Sequence, residues 1–219
     1  MKKLITVLVV LLFVALPIKA QFHLSLEPAL GMNFNLHGGS DLPKSGTGFG
    51  MVVAGRANMD FSKSIGLIAG LDFYDNRSGS FTQTASQNGV NYSTDNSASL
   101  AYFQIESLFK YTLPSKLYFV FGPVLGFNIE GSGEAVTTIT TPGYTFQGGS
   151  TTQTDNTTFQ NMNVRFELKA GAGYPIPLAK KIELVPEITF GYGLTNVQKD
   201  VKWTIMTFQA LVGVKFDLM

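Results

Sequence analysis

Apolar and polar residues alternate with a period of two along most of the chain. In residues 22–37, every second side chain from Phe22 to Leu36 is apolar, and the positions between them are polar or small. The same alternation recurs in residues 117–130, 162–174 and 182–195. Successive side chains of a strand point to opposite faces, so this pattern predicts β-strands that separate two different environments.

Four further segments alternate less regularly and bring the predicted number of strands to about eight. They cover residues 49–60, 65–74, 101–113 and 206–218. Val201, Trp203 and Ile205 have the opposite parity to the strand that follows them. We therefore expect either a bulge or the rim of the membrane near these three residues.

The polar faces of the predicted strands carry charges of both signs, mixed with small residues. A soluble sandwich or barrel would bury the apolar faces, and this is the alternative interpretation. A barrel in an outer membrane turns its apolar faces to lipid and shelters polar side chains inside. Small inward residues also suit a narrow eight-stranded interior. We therefore predict a transmembrane antiparallel up-and-down β-barrel with a network of charges in its lumen. The predicted network comprises Glu27, Arg56, Asp72, Glu106, Lys110, Arg165, Glu167, Lys169, Glu183, Glu187 and Lys215.

The first twenty residues are typical of a secretory signal peptide. Lys2 and Lys3 precede an apolar run from Leu4 to Leu16, and the small residue Ala20 follows Pro17. The run is shorter than the about 20 residues that a membrane-spanning helix needs. We expect cleavage after Ala20, which divides the chain into a signal peptide, 1–20, and a barrel domain, 21–219. An uncleaved membrane anchor is the alternative.

Connections between the predicted strands are alternately short and long. Residues 60–64, 112–116 and 174–181 are short turns, whereas 36–48, 76–99 and 131–159 are long and rich in Ser, Thr, Asn and Gly. Outer-membrane barrels place short turns in the periplasm and longer loops outside the cell. We therefore expect the outer membrane of a Gram-negative bacterium, with both termini periplasmic. The last strand resembles the signal by which the barrel-assembly machinery recognises such proteins.

Composition excludes several classes of function. The formal net charge of +1 becomes −2 once residues 1–20, with three lysines and no acid, are removed. That balance argues against a nucleic-acid partner. Without cysteine there is neither a disulfide framework nor a thiolate metal site. The two histidines, His23 and His37, fall at opposite ends of one predicted strand, so we expect no histidine metal cluster and no cofactor.

Three stretches together resemble the PorT-like family of outer-membrane β-barrels. Residues 102–111 (YFQIESLFKY) are similar to a family strand, 121–128 (FGPVLGFN) to a second, and 191–197 (GYGLTNV) to a third. The chain departs from the family at Glu106, where proline is common. The resemblance implies an eight-stranded outer-membrane barrel without catalytic residues. Some members assist a dedicated secretion system and most have no assigned activity, so a role as a secretion-system accessory is an alternative that the resemblance implies.

Three functional hypotheses follow. The first is a structural or interaction barrel that presents 76–99 and 131–159 to an extracellular or periplasmic protein partner. The second is a narrow pore, which a lumen filled with side chains disfavours. The third is a lipid-modifying enzyme at the outer rim. It would use His37 with Ser40 and Asp41, and it requires these groups to meet within hydrogen-bonding distance. We expect no catalytic site.

Overall fold

A computed structural model of the protein describes residues 22–42 and 44–218, and these residues form β-strands joined by turns and loops. The predicted signal peptide, residues 1–20, lies outside the described residues. The strands are β1 (His23–Gly38), β2 (Gly46–Asp60), β3 (Ile65–Asn76), β4 (Gly79–Gln87), β5 (Val90–Thr112), β6 (Tyr118–Ile139), β7 (Thr152–Thr158), β8 (Arg165–Gly173), β9 (Ile176–Ala179), β10 (Ile182–Gly193) and β11 (Thr204–Asp217).

Within the described residues, no helix is long and apolar enough to cross a bilayer.

Eight of these strands form the closed wall of a barrel. In the order β1, β2, β3, β5, β6, β8, β10 and β11, each strand pairs antiparallel with the next. Closure comes from β11, which pairs along most of its length with β1, from Ser25↔Asp217 to Gly38↔Thr204. This confirms the predicted antiparallel up-and-down barrel. A closed ladder satisfies the backbone of every wall strand from its two neighbours, which lipid requires.

The barrel is apolar on its outer surface and polar in its interior. Ile188, Phe49 and Met32 are 68%, 67% and 65% exposed on its outer surface, whereas Arg165 and Lys169 are 2% and 1% exposed inside it. A water-soluble barrel would reverse this distribution, because burial of apolar surface drives its folding. The structure is therefore that of a transmembrane β-barrel, as the alternation predicts.

The two long connections predicted at 76–99 and 131–159 are largely strands, which corrects the sequence prediction. They form a four-stranded antiparallel sheet beyond the barrel wall, in the order β4, residues 90–99 of β5, residues 131–139 of β6, and β7. We call this sheet the extension. A hairpin turn with positive φ at Asn88 (52°) and Gly89 (78°) joins its first two strands. Period-two alternation is weak here because most positions of β4 and β7 are exposed to water.

Local register shifts decide which side chains enter the lumen. The pairing of β3 with β5 shifts between Asp72 and Asp75, and both of these carboxylates are buried although they are three residues apart. Around Trp203 and Ile205 the predicted bulge is absent, since β11 keeps one register against β1. Trp203 and Ile205 have the opposite parity because their apolar side chains point into the barrel, where both are buried.

We expect an arginine at the lipid-facing position 188 to hinder barrel formation. Placing Arg at the bilayer midplane of such a barrel costs about 2–4 kcal/mol. The Ile188→Arg variant should therefore refold into vesicles in much lower yield than the wild-type protein. The measurement is the heat-dependent gel shift, in which an unboiled barrel migrates differently from a boiled one.

Thr154→Arg, in the exposed strand β7, is the matched control and should refold normally. Equal yields for the two variants would mean that Ile188 does not face lipid.

Candidate functional site

One ionic cluster fills the lumen nearer the short turns and is centred on Arg56. The guanidinium lies 2.8 Å from Glu187, 3.2 Å from Glu106 and 4.0 Å from Glu27. The Tyr118 hydroxyl donates to the second oxygen of Glu187 at 2.7 Å. The three carboxylates come from β1, β5 and β10, so a single cation from β2 joins distant parts of the wall.

Lys169 extends this cluster along the lumen. Its ammonium group donates to Glu106, lies 4.0 Å from Asp72 and donates to the amide oxygen of Gln209 at 3.2 Å. Among the described residues, neither carboxylate oxygen of Asp72 has a hydrogen-bond partner. Asp72 is therefore held near Lys169 by charge alone.

A second cluster occupies the lumen nearer the extension. Asp75 lies at its centre and accepts hydrogen bonds from Arg77 (2.7 Å), Asn33 (2.7 Å) and Gln104 (2.5 Å). Arg165 pairs with Glu167 in the same layer, and Arg77 lies 3.9 Å from Glu167. A Cβ atom at position 191 would overlap the carboxylate of Glu167, so a larger residue there would displace this carboxylate.

The remaining predicted lumen charges form pairs at the mouth of the barrel, where the short turns lie. Lys110 lies 2.5 Å from Asp60, and Lys215 pairs with Glu183. The second pair retains 12% and 20% side-chain exposure. Asp60, Lys110 and Lys215 border a vestibule of about 580 Å³, whose lining also includes Lys63 and Tyr118. The lumen is thus open at this mouth and filled above it.

All eleven predicted charges therefore lie inside the barrel or at its mouth, but they do not form one network. Glu27, Arg56, Asp72, Glu106, Lys169 and Glu187 make the first cluster, and Arg165 and Glu167 belong to the second. Asp75 and Arg77, both completely buried, were missed. The register shift beside them reverses their parity, so alternation could not assign them. The sequence signal was an acid and a base two residues apart at the end of a strand.

An apolar cap closes the lumen above the second cluster. Its buried residues are Ala98, Leu100, Tyr102, Val197, Trp203 and Ile205, with Leu42, Phe159, Met162 and Val201 packed against them. The indole N–H of Trp203 donates to Nδ1 of His37 at 3.1 Å, and Nε2 of His37 lies 2.9 Å from the carbonyl oxygen of Ser78. These contacts require the neutral Nε2–H tautomer, since an indole N–H only donates and a carbonyl only accepts.

His37 does not meet the other two residues of the rim-enzyme hypothesis. Both ring nitrogens of His37 are occupied by Trp203 and Ser78, and the Ser40 hydroxyl donates to Asp41 at 3.1 Å. The backbone N–H of Lys202 donates to Asp41 at 2.9 Å and is the main reason that the pKa of this carboxyl is lowered. His37 is therefore not positioned to act as a base for the hydroxyl of Ser40.

No group of three or more metal-ligating side chains occurs in the part of the chain that the structure describes.

Comparisons by sequence find no relative: no protein-family model matches the chain, and no curated protein matches it. Among solved structures, the chain is similar to Ail, the attachment invasion locus protein of Yersinia pestis, with 13% identity over 88% of this chain and 98% of that one and a TM-score of 0.38. It is similar to Neisserial surface protein A with 11% identity over 88% and 97%, TM-score 0.42. It is also similar to the outer membrane protein AlkL with 8% identity over 91% of both chains, TM-score 0.46. The barrel assignment rests on the strand pairing described above.

Removing the central cation of the first cluster should destabilise the barrel severely. Arg56→Met leaves Glu27, Glu106 and Glu187 buried without their shared partner, and breaking a buried pair in this way costs about 3–5 kcal/mol. We expect a much lower urea midpoint for unfolding in detergent micelles, followed by the gel shift.

The matched control is Lys215→Met, which removes a cation from a partly exposed pair at the mouth. Pairs of this kind contribute about 0–1 kcal/mol, so its midpoint should stay close to that of the wild type. Equal losses in both variants would contradict the central role of Arg56.

Proposed function

We propose that the protein is a closed outer-membrane barrel of a Gram-negative bacterium that presents the extension outside the cell as an interaction surface. In this proposal both termini are periplasmic, and the barrel-assembly machinery inserts the chain. The observation that carries the proposal is the contrast between the two parts of the molecule. The lumen is filled by two ionic clusters and an apolar cap, while the extension offers the solvent-exposed strands β4 and β7.

The edge of β7 supports an interaction role. Phe159 and Ile139 N–H groups bond to Gly131 and Thr151 carbonyls across the β6–β7 ladder. The odd-numbered residues of β7 therefore direct their backbone N–H and C=O groups toward β6. Thr152, Thr154 and Asn156 direct theirs away from it. Outward backbone groups on a strand edge can accept a further strand from a partner protein.

The lengths of the connections at the two ends of the barrel support the proposed orientation. At the vestibule end, residues 61–64 and 113–117 are short turns, whereas the opposite end carries the extension. The apolar belt separates these ends, and short turns are characteristic of the periplasmic side. The resemblance to PorT-like barrels agrees with this orientation. It also supports a more specific form of the proposal, in which the partner is a protein of a secretion system.

Cysteine labelling tests the orientation, because the chain contains no native cysteine. We expect Thr154→Cys, in the extension, to react with a membrane-impermeant maleimide on intact cells. Lys116→Cys, in a short turn, should react only after the outer membrane is permeabilised. The opposite pattern would overturn the proposed orientation, and labelling of neither residue after permeabilisation would contradict their exposure.

Planar-bilayer recording tests the closed lumen against the pore hypothesis. We expect the inserted wild-type barrel to give no steady openings, because charged side chains fill the passage above the vestibule. Trp203→Ala should remain silent as well, since it shortens the cap but leaves both ionic clusters in place. Steady openings of the wild-type protein, at a level absent from protein-free bilayers, would establish a pore instead.

A further inference from the structure

We infer that the cavity between the extension and the apolar cap binds a small apolar molecule that carries one positive charge. The cavity is about 300 Å³ in volume, a size at the lower end of the range for small-molecule sites. This inference concerns a ligand site and goes beyond the proposed interaction surface.

One face of the extension forms the wall of this cavity. A Cβ atom built at Gly133 would lie 2.8 Å from the ring of Phe159 and 3.1 Å from Thr157, so these three positions share a face. The strand pairing places Ala98 opposite Gly133, Asn96 opposite Ala135 and Ala135 opposite Asp155. We call this the concave face.

The cavity owes its space to small residues and its apolar character to large ones. Gly133, Ala98 and Ala135 leave room along the concave face, while Phe81, Phe159 and Trp203 contribute aromatic surface around it. Leu42 and Val201 border it on the side of the connecting loops. Such a site, mostly apolar with a few polar groups, favours a compact apolar ligand.

The floor of the cavity is fixed before any ligand arrives. Trp203 is only 4% exposed, donates its indole N–H to His37 at 3.1 Å, and meets the ring of Phe159 edge-on with centroids 5.5 Å apart. A preformed site loses less conformational entropy on binding. The held indole therefore favours binding without rearrangement of the cap.

The charges around the cavity select a cation. Asp155 lies on the concave face and borders the cavity. The charged residues that border the cavity are Glu134 and Asp155, and both are acids. The loop that contributes Gln198, Val201 and Trp203 also contains Lys199 and Lys202, but neither lysine borders the cavity. Carboxylates at the cavity attract an ammonium group and repel an anion. The ligand chemistry that fits is therefore an aryl- or alkyl-ammonium compound.

The single tryptophan of the chain gives a direct measurement, because Trp203 forms part of the cavity. We would titrate the full barrel in lipid nanodiscs with 2-phenylethylamine and follow the tryptophan fluorescence. We expect a saturable change. The neutral isostere 2-phenylethanol should bind more weakly, and 3-phenylpropionate should bind most weakly. A linear signal without saturation, or the same affinity for all three compounds, would overturn the inference, since either indicates partition into lipid.

Two pairs of variants separate the cavity from the rest of the protein. Asp155→Asn should weaken 2-phenylethylamine binding by about threefold or more, the scale of an exposed ion pair, and leave 2-phenylethanol unaffected. Asp95→Asn removes a carboxylate from the opposite face of the extension and should change neither. If both variants bind the amine like the wild type, the assignment of Asp155 is wrong.

Filling the cavity is the second test. Ala135→Phe should abolish the fluorescence response by occupying the space, whereas Val136→Phe, on the opposite face, should retain it. A normal gel shift for both variants shows that the barrel has formed. A full response in a folded Ala135→Phe barrel would exclude this cavity as the binding site.

Discussion

Every feature of this barrel depends on the need to pair its backbone in a solvent that offers no hydrogen bonds. Lipid cannot satisfy an exposed N–H or C=O, so a spanning sheet must close on itself. Here the closure is the long ladder between β1 and β11, in one register from Ser25↔Asp217 to Gly38↔Thr204. Closure then creates a narrow interior, and the side chains that point into it have to be compatible with one another.

The interior meets that requirement with charge rather than with apolar packing. Among the described residues, ten charged side chains of the two clusters are buried: Glu27, Arg56, Asp72, Asp75, Arg77, Glu106, Arg165, Glu167, Lys169 and Glu187. Removing such groups from water is costly, and the cost is offset only where each charge finds opposite charges and hydrogen bonds. Arg56 has three such partners in the first cluster, and Asp75 has three in the second. The clusters therefore hold distant strands together in addition to filling the passage.

The lumen changes character where it leaves the ionic layers. Trp203 and Ile205 replace charge by an apolar cap, and His37 fixes the indole through a single neutral tautomer. Beyond the cap, the wall strands β5 and β6 continue into water and form the extension together with β4 and β7. One continuous sheet is therefore in contact with both lipid and water. The lipid-facing part has an apolar exterior, and the water-exposed part is polar on most of its surface. The cavity lies where these regimes meet.

The sequence by itself determined which residues face lipid and which face the lumen in the regular strands. A strand has only two faces, and charged residues such as Glu27 and Lys169 identify the face that points into the lumen. Tertiary structure decided the rest. Arg56 and Glu187 are 131 positions apart, and no local pattern pairs them before the wall closes. The shift between Asp72 and Asp75 reverses parity, and alternation is weak in the extension because most positions of β4 and β7 are exposed to water. Alternation reports the two environments of a strand, whereas the partners across the lumen depend on the closed ladder.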